Sequence, residues 1–452
     1  MLELPPGPRT PSLVQLFNWV RRPIPFMEQC ARQFGDSFTL RFPLFGRPGD
    51  RPEIVFLSDP EAVRDVFTGD EHDLLAGEAN ATVLAPLLGE DSLLVLDGDR
   101  HLEERRLMMP PFHGERMQAY GTVMRDIAAR VIDGWPVERP FPLHPHMQAI
   151  TLDVILRTVF GLGEGAEMDR LRDLLVRLLA IAANPMALLP WLRFELGGLT
   201  PWGRLIRRSR HVDAVLYDEI RRRRSAAGDG RDDVLSMLLA ARDEHGQPMG
   251  DQELRDEMIT LLLAGHETSA TSLCWVFHRV LRRPDVLARL RDELARVVGA
   301  GPLEAHHVPQ LEYLDATIKE TLRLNPIIPI VARRLRRPLR FGGRELPAGV
   351  IVAPCIYLTH RNPGAWPDPE RFDPERFVGQ RTSPYAFFPF GGGVRRCLGM
   401  AFALYEMKIV VAEVLRRVVL RAAPGTQVRV VRRGITFAPS AGMPVVVERR
   451  AA

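Results

Sequence analysis

The spacing of apolar and polar residues in this chain is mostly that of amphipathic helices. Apolar side chains recur every three or four positions in many segments, the period that brings them to one helix face. The pair Asp59-Pro60, a capping residue followed by proline at the first helical position, starts the first of these helices. The predicted helices span about 60–67, 99–108, 115–133, 147–160, 167–182, 203–224, 251–281, 285–297, 311–324 and 398–416.

The other segments favour strands and turns. Ser37 to Phe42 and Glu53 to Leu57 are rich in Phe, Ile, Val and Thr, which predicts two short strands. The proline-rich residues 4–11 predict an extended lead-in. Because no linker or repeat divides the chain, we expect one domain over residues 1–452, mainly α with a minor β-rich lobe. The helical body should cover about 59–324 and 398–416, and the β-rich parts about 37–57, 333–356 and 427–449.

Composition and charge narrow the possible partners. The 452 residues carry a formal charge of only +4 and no dense basic tail, which favours an acidic protein partner over nucleic acid. No segment approaches the ~20 consecutive apolar residues of a membrane span, so we expect a cytoplasmic protein without a transmembrane anchor. The four cysteines are far apart and form no CxxC pair, which argues against a zinc site or a redox dithiol.

One of these cysteines lies in an unusual segment, Phe388-Pro-Phe-Gly-Gly-Gly-Val-Arg-Arg-Cys-Leu-Gly, which leads directly into a predicted helix. A buried thiolate needs backbone N–H donors, a tight loop and a positive environment. The glycines permit the tight turn, the helix N-terminus supplies a positive dipole end, and Arg395 and Arg396 add charge. The segment therefore predicts that Cys397 acts as an anionic ligand.

The pattern Phe390-x-x-Gly393-x-Arg395-x-Cys397-x-Gly399 resembles the haem-binding signature of the cytochrome P450 family. The resemblance implies the cytochrome P450 fold and haem b as cofactor, with Cys397 as the axial iron ligand and Phe390 and Gly399 beside the haem. The motifs that follow occur in the family's order, so the resemblance covers nearly the whole chain.

Glu320 and Arg323 are three residues apart in a predicted helix, where they can bond to each other. They resemble the family's ExxR motif, which takes a third member from a Pro-Glu-Arg-Phe turn. That turn occurs twice here, and we assign Arg376 from the second copy and leave Arg371 on the surface. The resemblance implies a structural role for this trio.

The hexapeptide Ala264 to Ser269 is expected to interrupt the long helix 251–281, because polar residues beside a glycine weaken regular backbone bonding. It is similar to the family's (A/G)Gx(D/E)T motif on the oxygen-binding side, which places Ala264 beside the haem. The resemblance implies that Thr268 hydrogen-bonds the oxygen molecule and that Glu267 helps to deliver protons to it.

His101 and Arg105 are four residues apart on one helix face and match the family's helix that binds the haem propionates. Arg333 matches a further propionate-binding arginine. With Arg395, the resemblance gives four donor groups for two carboxylates.

No segment is left for a flavin or nicotinamide domain. His266-Glu267 lacks the second histidine of a zinc protease, and Gly161-Leu-Gly163 does not follow a strand. Electrons should therefore come from a separate ferredoxin or flavodoxin-type donor with its reductase. A basic docking face for it is expected from Arg105, Arg106, Arg395, Arg396 and Lys408.

The resemblance also suggests the residues that line a substrate pocket, all of them apolar. They are Val83, Leu84, Leu87 and Leu88 in a loop that covers the pocket, with Leu261, Ile327, Ile328, Ile330 and Phe437. Arg47 and Arg51 are either a carboxylate site at the channel mouth or surface arginines. The apolar segment 187–202 is a lid, a membrane contact or a subunit interface, and the sequence leaves all three open.

The resemblance as a whole implies a monooxygenase that uses dioxygen to hydroxylate or epoxidise an apolar small molecule, such as a fatty acid, terpenoid or polyketide-like compound. Two alternatives keep the haem. A peroxide-driven or isomerising enzyme needs no proton relay, which the pair Glu267-Thr268 disfavours, and a haem-binding sensor needs no substrate pocket.

Overall fold

Helices form most of the protein. The computed structural model describes residues 4–42, 52–112, 116–163, 165–182, 193, 195, 199–225 and 231–451. Within them the helices are α1 Ser12–Arg21, α2 Pro23–Phe34, α3 Pro60–Thr68, α4 Ala76–Leu88, α5 Gly98–Met108, α6 Arg116–Asp133, α7 Leu143–Thr158, α8 Ala166–Ala182, α9 Pro201–Ser225, α10 Val234–Ala240, α11 Asp251–Val280, α12 Pro284–Val297, α13 Glu312–Leu324, α14 Ile356–Thr359 and α15 Met400–Arg417.

The long helix α11 lies in the core of the helical body, and α7, α13 and α15 pack against it. Most of its residues are buried, because neighbouring helices cover it on several sides. Helices with one apolar stripe, such as α12 and α13, lie further out. The main hydrophobic core is therefore a stack of helices around α11.

In the described residues the strands form one five-stranded sheet and three smaller sheets. They are β1 Ser37–Arg41, β2 Glu53–Leu57, β3 Leu74–Leu75, β4 Pro140–Pro142, β5 Arg333–Leu335, β6 Leu339–Phe341, β7 Arg344–Leu346, β8 Ile351–Pro354, β9 Val418–Ala422, β10 Val430–Arg433, β11 Thr436–Pro439 and β12 Pro444–Arg450. The largest sheet has the order β1-β2-β8-β5-β3, with β2 and β8 parallel and the other neighbours antiparallel. The others are β4-β12-β9, the hairpin β10-β11 and the hairpin β6-β7.

The predicted fold class is confirmed, and the predicted helices of the body begin and end within about four residues of the observed ones. The Asp59 carboxylate caps α3 as predicted, since it accepts hydrogen bonds from the backbone N–H groups of Glu61 and Ala62, both at 3.0 Å. The strands at 37–42 and 53–57 are confirmed, whereas the last β-rich part starts at Val418 rather than near 427.

Two predictions about local structure are wrong, and two helices lie in residues to which the sequence analysis assigned no element. These helices are α1 and α2; Pro23 stands at the first position of α2, where a missing N–H costs nothing. The segment with Val83 to Leu88 is part of helix α4 rather than a loop, although it contains Pro86. Helix α11 runs unbroken through Ala264 to Ser269, because the Thr268 hydroxyl turns back to the Ala264 carbonyl at 2.5 Å and leaves the helical backbone regular.

Helix α4 shows why its prediction failed. Its N-terminus is capped from a distant part of the chain, since the Asp97 carboxylate accepts from the N–H groups of Gly77 and Glu78 at 2.7 and 2.8 Å. Pro86 cannot donate to the Thr82 carbonyl, and the Arg193 guanidinium donates to that oxygen instead, at 2.6 Å. Both contacts are tertiary, so nothing in the local sequence indicates them.

Candidate active site

The cysteine loop is a tight turn packed against helix α3. The Cys397 N–H donates to the Phe390 carbonyl at 2.9 Å and closes the loop. Gly393 has a φ of 63°, and a Cβ added there would lie 2.5 Å from the Phe67 carbonyl oxygen. A side chain at this position would therefore meet both backbone strain and a clash. Helix α15 starts at Met400, directly after the loop, so its N-terminus lies beside the cysteine, as the sequence predicts.

The Cys397 thiol is solvent-accessible although it lies deep in the protein. Burial raises its pKa, while a hydrogen bond from the Gly399 N–H and the charges of Arg105 and Arg396 act to lower it. Cys30, Cys274 and Cys355 are buried, and burial raises their pKa as well. Cys397 is thus the cysteine with access to a ligand and with donors around its sulfur, which suits a thiolate bound to a metal.

His101, Arg105, Arg333 and Arg395, here called the cation cluster, lie together as the sequence predicts. Burial first, and then the charges of the three arginines, lower the pKa of His101 to about 3. The Nδ1 atom of His101 and the Nε atom of Arg395 are buried without a hydrogen-bond partner. Four groups that can donate hydrogen bonds thus converge with buried donors unused, which fits a ligand carrying carboxylates, such as haem with its two propionates.

Two acidic residues beside the cation cluster were missed by the sequence reasoning. Asp97 accepts from Arg395 Nη2 at 2.6 Å, and Glu71 lies 3.4 Å from His101 Nδ1. Asp97 also caps helix α4, so it links the cation cluster to that helix. No sequence motif surrounds either acid, and only the tertiary fold reveals them.

Glu320, Arg323 and Arg376, with His360, form what we call the clamp cluster. Glu320 and Arg323 are fully buried and bond through two hydrogen bonds of 2.7 and 2.8 Å. Arg323 also donates to the backbone carbonyls of His360, Pro369 and Arg371. The Arg376 Nε atom lies 3.6 Å from Glu320 Oε1, whereas the Arg371 side chain is 64% exposed. The geometry therefore agrees with the choice of Arg376 over Arg371.

His360 joins the clamp cluster to the cysteine loop and was not predicted. Its Nε2 accepts from the Phe388 N–H at 2.9 Å, which leaves the proton on Nδ1 to donate to the Arg323 carbonyl at 3.2 Å. Burial and then the charge of Arg323 lower the pKa of His360 to about 3, so the ring is neutral. It occupies a tertiary position that no local pattern indicates.

Helix α11 has an accessible stripe in the middle of the protein. Leu261, Ala264, Gly265 and Thr268 are partly or fully accessible, while Leu262 and Ala270 beside them are completely buried. The spacing of three and four residues places the accessible positions on one side of the helix. A buried helix with one open stripe is the wall of an internal cavity, at the place where the sequence predicts the oxygen-binding side.

Glu267 points to a polar cluster rather than to this open stripe. Its carboxylate accepts from Gln148 Nε2 at 2.7 Å and from Arg433 Nε at 3.0 Å, and it lies 3.4 Å from His144 Nε2. Burial alone would raise its pKa, but the hydrogen bond and charge of His144, with the charge of Arg433, lower it to about 2. Glu267 is therefore an ionised, paired carboxylate in this conformation, and its three partners were not predicted.

The predicted pocket residues fall into two groups. Leu88, Ile327 and Phe437 are packed in the core, with at most 7% of each side chain exposed. The partly accessible ones are Val83, Leu84, Leu87, Leu261, Ile328 and Ile330. Arg47, Arg51 and most of the segment 187–202 lie outside the described residues. Within that segment Arg193 contacts helix α4 and lies over the Trp202 ring at 5.1 Å.

The expected docking face is smaller than predicted. Arg395 is 8% exposed and bonded to Asp97, and Lys408 is 15% exposed and lies 3.3 Å from Asp315. Arg105 is half-buried. Arg106 and Arg396 are exposed, although Arg106 forms an ion pair with Glu244.

Among the described residues, no helix combines the length and the apolar composition needed to pass through a bilayer.

Comparison with known proteins agrees with this geometry. The sequence is 43% identical over 447 residues to cytochrome P450 135B1 of Mycobacterium tuberculosis, covering 99% of this chain and 92% of that relative. It is 36% identical over 452 residues to cytochrome P450 138 of the same organism, covering 100% and 97%.

Solved structures share the fold. A retinoic acid-bound cyanobacterial CYP120A1 superposes with a TM-score of 0.86 at 28% identity, over 100% of both chains. The haem domain of cytochrome P450DA superposes with a TM-score of 0.87 at 26% identity, over 100% of this chain and 99% of the other. The family model for cytochrome P450 matches residues 5–443. This chain belongs to the cytochrome P450 family of haem-thiolate monooxygenases.

Proposed function

We propose that this enzyme hydroxylates or epoxidises an apolar small molecule of the fatty-acid, terpenoid or polyketide type. Its cofactor is haem b, which supplies activation of dioxygen when bound. The observation that carries the proposal is the accessible Cys397 thiol deep in the protein, with the Gly399 N–H and two arginines acting on it.

In this proposal Cys397 ligates the iron, and the cation cluster holds the two propionates. The unused buried donors of His101 and Arg395 support that assignment, because a carboxylate would satisfy them. Phe390 and Gly399 flank the haem, and a Cβ added at Gly399 would meet nothing within 4 Å, which leaves room for a flat ligand. Ala264 lies on the open stripe of α11 and would contact the bound cofactor.

Thr268 holds a proton at the open stripe of α11. Its hydroxyl now donates to the Ala264 carbonyl and can rotate to donate into the cavity. Glu267 supplies protons to this hydroxyl after it leaves Arg433, because a carboxylate paired with an arginine has little affinity for a proton. Electrons come from a ferredoxin or flavodoxin-type donor with its reductase, which docks near the exposed Arg106 and Arg396.

The substrate occupies a pocket between α4 and the stripe of α11, where the partly accessible side chains Val83, Leu84, Leu87 and Leu261 are apolar. A structural neighbour described as bound to retinoic acid, a carboxylic acid with a large hydrocarbon part, supports this substrate class. We further infer a cytoplasmic enzyme, since all four cysteines are free thiols.

The test is spectroscopic and catalytic. The reduced protein under carbon monoxide should show the strongly red-shifted Soret band of a thiolate ligand, and the variant Cys397→Ala should lose it. With a ferredoxin system and a library of apolar compounds, the native enzyme should give oxygenated products. Thr268→Ala should consume electrons with much less product. An unchanged product yield per electron in that variant would contradict the role of Thr268, and turnover with peroxide but not with ferredoxin would favour a peroxygenase.

A further inference from the structure

Arg432 on strand β10 is a half-buried arginine for which the described part of the chain provides aromatic rings but no anion. Its guanidinium carbon lies 4.8 Å from the centre of the Trp19 ring and 5.6 Å from that of Phe437. Its Nε atom is buried without a hydrogen-bond partner. Among the described residues it forms no ion pair, whereas Arg433 beside it is bonded to Glu267.

A charge in such a place is costly unless a ligand compensates it. Burial lowers the pKa of Arg432 to about 10, so the side chain is still a cation at neutral pH. Contacts with aromatic faces return less free energy than an unpaired buried ion loses on leaving water. A half-buried cation with a buried Nε atom, for which the described residues provide no anion, is therefore a candidate anion site.

The haem propionates are not the anion that we expect to bind Arg432. The members of the cation cluster interact electrostatically, since the charges of Arg105, Arg333 and Arg395 all lower the pKa of His101. Arg432 instead contacts the rings of Trp19 and Phe437. No contact found among the described residues joins Arg432 to the cation cluster.

The hairpin of Arg432 adjoins the proposed substrate pocket. The N–H of Phe437, its cross-strand neighbour, donates to the Ile327 carbonyl at 2.8 Å, and Trp275 of α11 donates to the Phe437 carbonyl at 2.9 Å. Arg433 reaches α11 one residue before Thr268. Because successive strand residues point to opposite faces, Arg432 points away from Glu267, to the side with Trp19 and the partly accessible Ile330.

We propose that Arg432 binds the carboxylate of an amphipathic substrate whose apolar part extends toward Cys397. This inference rests on the proposed function and names its substrate class. The planar guanidinium matches a carboxylate in two parallel hydrogen bonds, and the aromatic rings suit the adjoining apolar chain. A single unpaired cation suits a monoanion, and among residues with described contacts the neighbouring Arg433 is already bonded to Glu267 rather than available for a phosphate.

Isothermal titration calorimetry on the haem-loaded protein tests the inference without turnover. The probes are dodecanoic, tetradecanoic and hexadecanoic acids, each compared with the alcohol of equal length. We expect at least one acid to bind roughly 10- to 100-fold more tightly than its alcohol, the range for a hydrogen bond to a charged group. Arg432→Gln should remove this preference and leave the affinity for the alcohol unchanged, and Arg432→Lys should keep part of it.

Arg429→Gln is the matched control, because Arg429 is an exposed arginine just before the same strand. It should bind acids like the native protein. Equal affinity for acid and alcohol throughout the series in the native protein, equal losses for both in Arg432→Gln, or an equal loss in Arg429→Gln would each overturn the inference. If Arg432→Gln does not fold, the native comparison and Arg432→Lys decide. A protein that prefers acids but lacks the carbon monoxide band contradicts the proposed function, whereas the band without that preference contradicts only this inference.

Discussion

The clamp cluster and the cation cluster are two buried groups of charges that differ in how completely their arginines are paired. In the clamp cluster, Arg323 makes five hydrogen bonds, two to Glu320 and three to backbone carbonyls. In the cation cluster, by contrast, Arg333 donates to the backbone carbonyl of Ala332, and among the described residues Arg395 repels its charge while Asp97 attracts it. The first arrangement is completely paired without a ligand, while the second leaves cationic groups available to bind an anionic ligand.

This difference separates structural from ligand-binding arginines without reference to a motif. Removing one partner of a fully paired buried group destabilises the fold strongly, because the other charge is left uncompensated. Incompletely paired ones cost stability in the free protein and recover it when an anion binds. By this criterion Arg432, although separate from the cation cluster, is also a ligand-binding arginine.

The largest effect should follow from breaking the clamp cluster. Arg323→Met leaves the Glu320 carboxylate buried without its partner and should lower the free energy of unfolding by about 3–5 kcal/mol. The double variant Glu320→Gln/Arg323→Met should lose less, because no charge remains alone. Chemical denaturation measures both, with the exposed Arg371→Gln as control. A double variant no more stable than the single one would contradict this account.

The adjacent residues Arg333 and Arg334 allow a ligand-binding arginine and a structural arginine to be compared within one strand, β5. Arg333→Gln should speed haem loss to a scavenging globin by roughly 10- to 100-fold, since a charged hydrogen bond contributes about 1.5–3 kcal/mol. It should not destabilise the haem-free protein, because burial of the charge and repulsion by Arg395 outweigh the attraction of Asp97 for Arg333 there. Arg334→Gln should destabilise the haem-free protein and leave the rate of haem loss unchanged. Arg334 donates to the Gly349 carbonyl and lies 3.8 Å from Glu78, so its contacts are within the protein. Equal rates of haem loss in the two variants would refute the distinction.

His360 gives the clamp cluster a pH dependence. Its pKa in the folded protein is about 3, below the value of about 6.5 for an exposed histidine, so the unfolded chain binds an extra proton as the pH falls below 6.5. The stability that the neutral ring contributes is present above pH 6.5 and is lost as the pH falls toward 3. His360→Gln should therefore reduce the slope of unfolding free energy against pH by at most about 1.4 kcal/mol per unit between pH 6 and 5.

Denaturation at several pH values measures that slope, with the exposed His211→Gln as control. A slope that is the same in His360→Gln and in the native protein would show that His360 is protonated in the fold.

The sequence predicted those parts of the site that depend on short spacing. The contact of Glu320 with Arg323 and the turn that ends at Cys397 are local, so periodicity and glycine pattern were sufficient. His360, Asp97 and Arg433 contact residues between 28 and 298 positions away, and no local pattern encodes such pairs. The same limit explains helix α4, whose cap and whose substitute donor at Pro86 both come from distant segments.

The smallest effect concerns that substitute donor. Arg193→Ala leaves the Thr82 carbonyl without the Arg193 donor, since Pro86 has no N–H to offer, and should cost about 1 kcal/mol or less. Hydrogen exchange of α4 should become faster, and apolar ligands that contact this helix should bind slightly more weakly. Pro86→Ala in the Arg193→Ala background should restore protection, because the new N–H can bond to Thr82 within the helix. If it does not, the Arg193 contact stabilises α4 by packing on Trp202 rather than by replacing the missing backbone hydrogen bond.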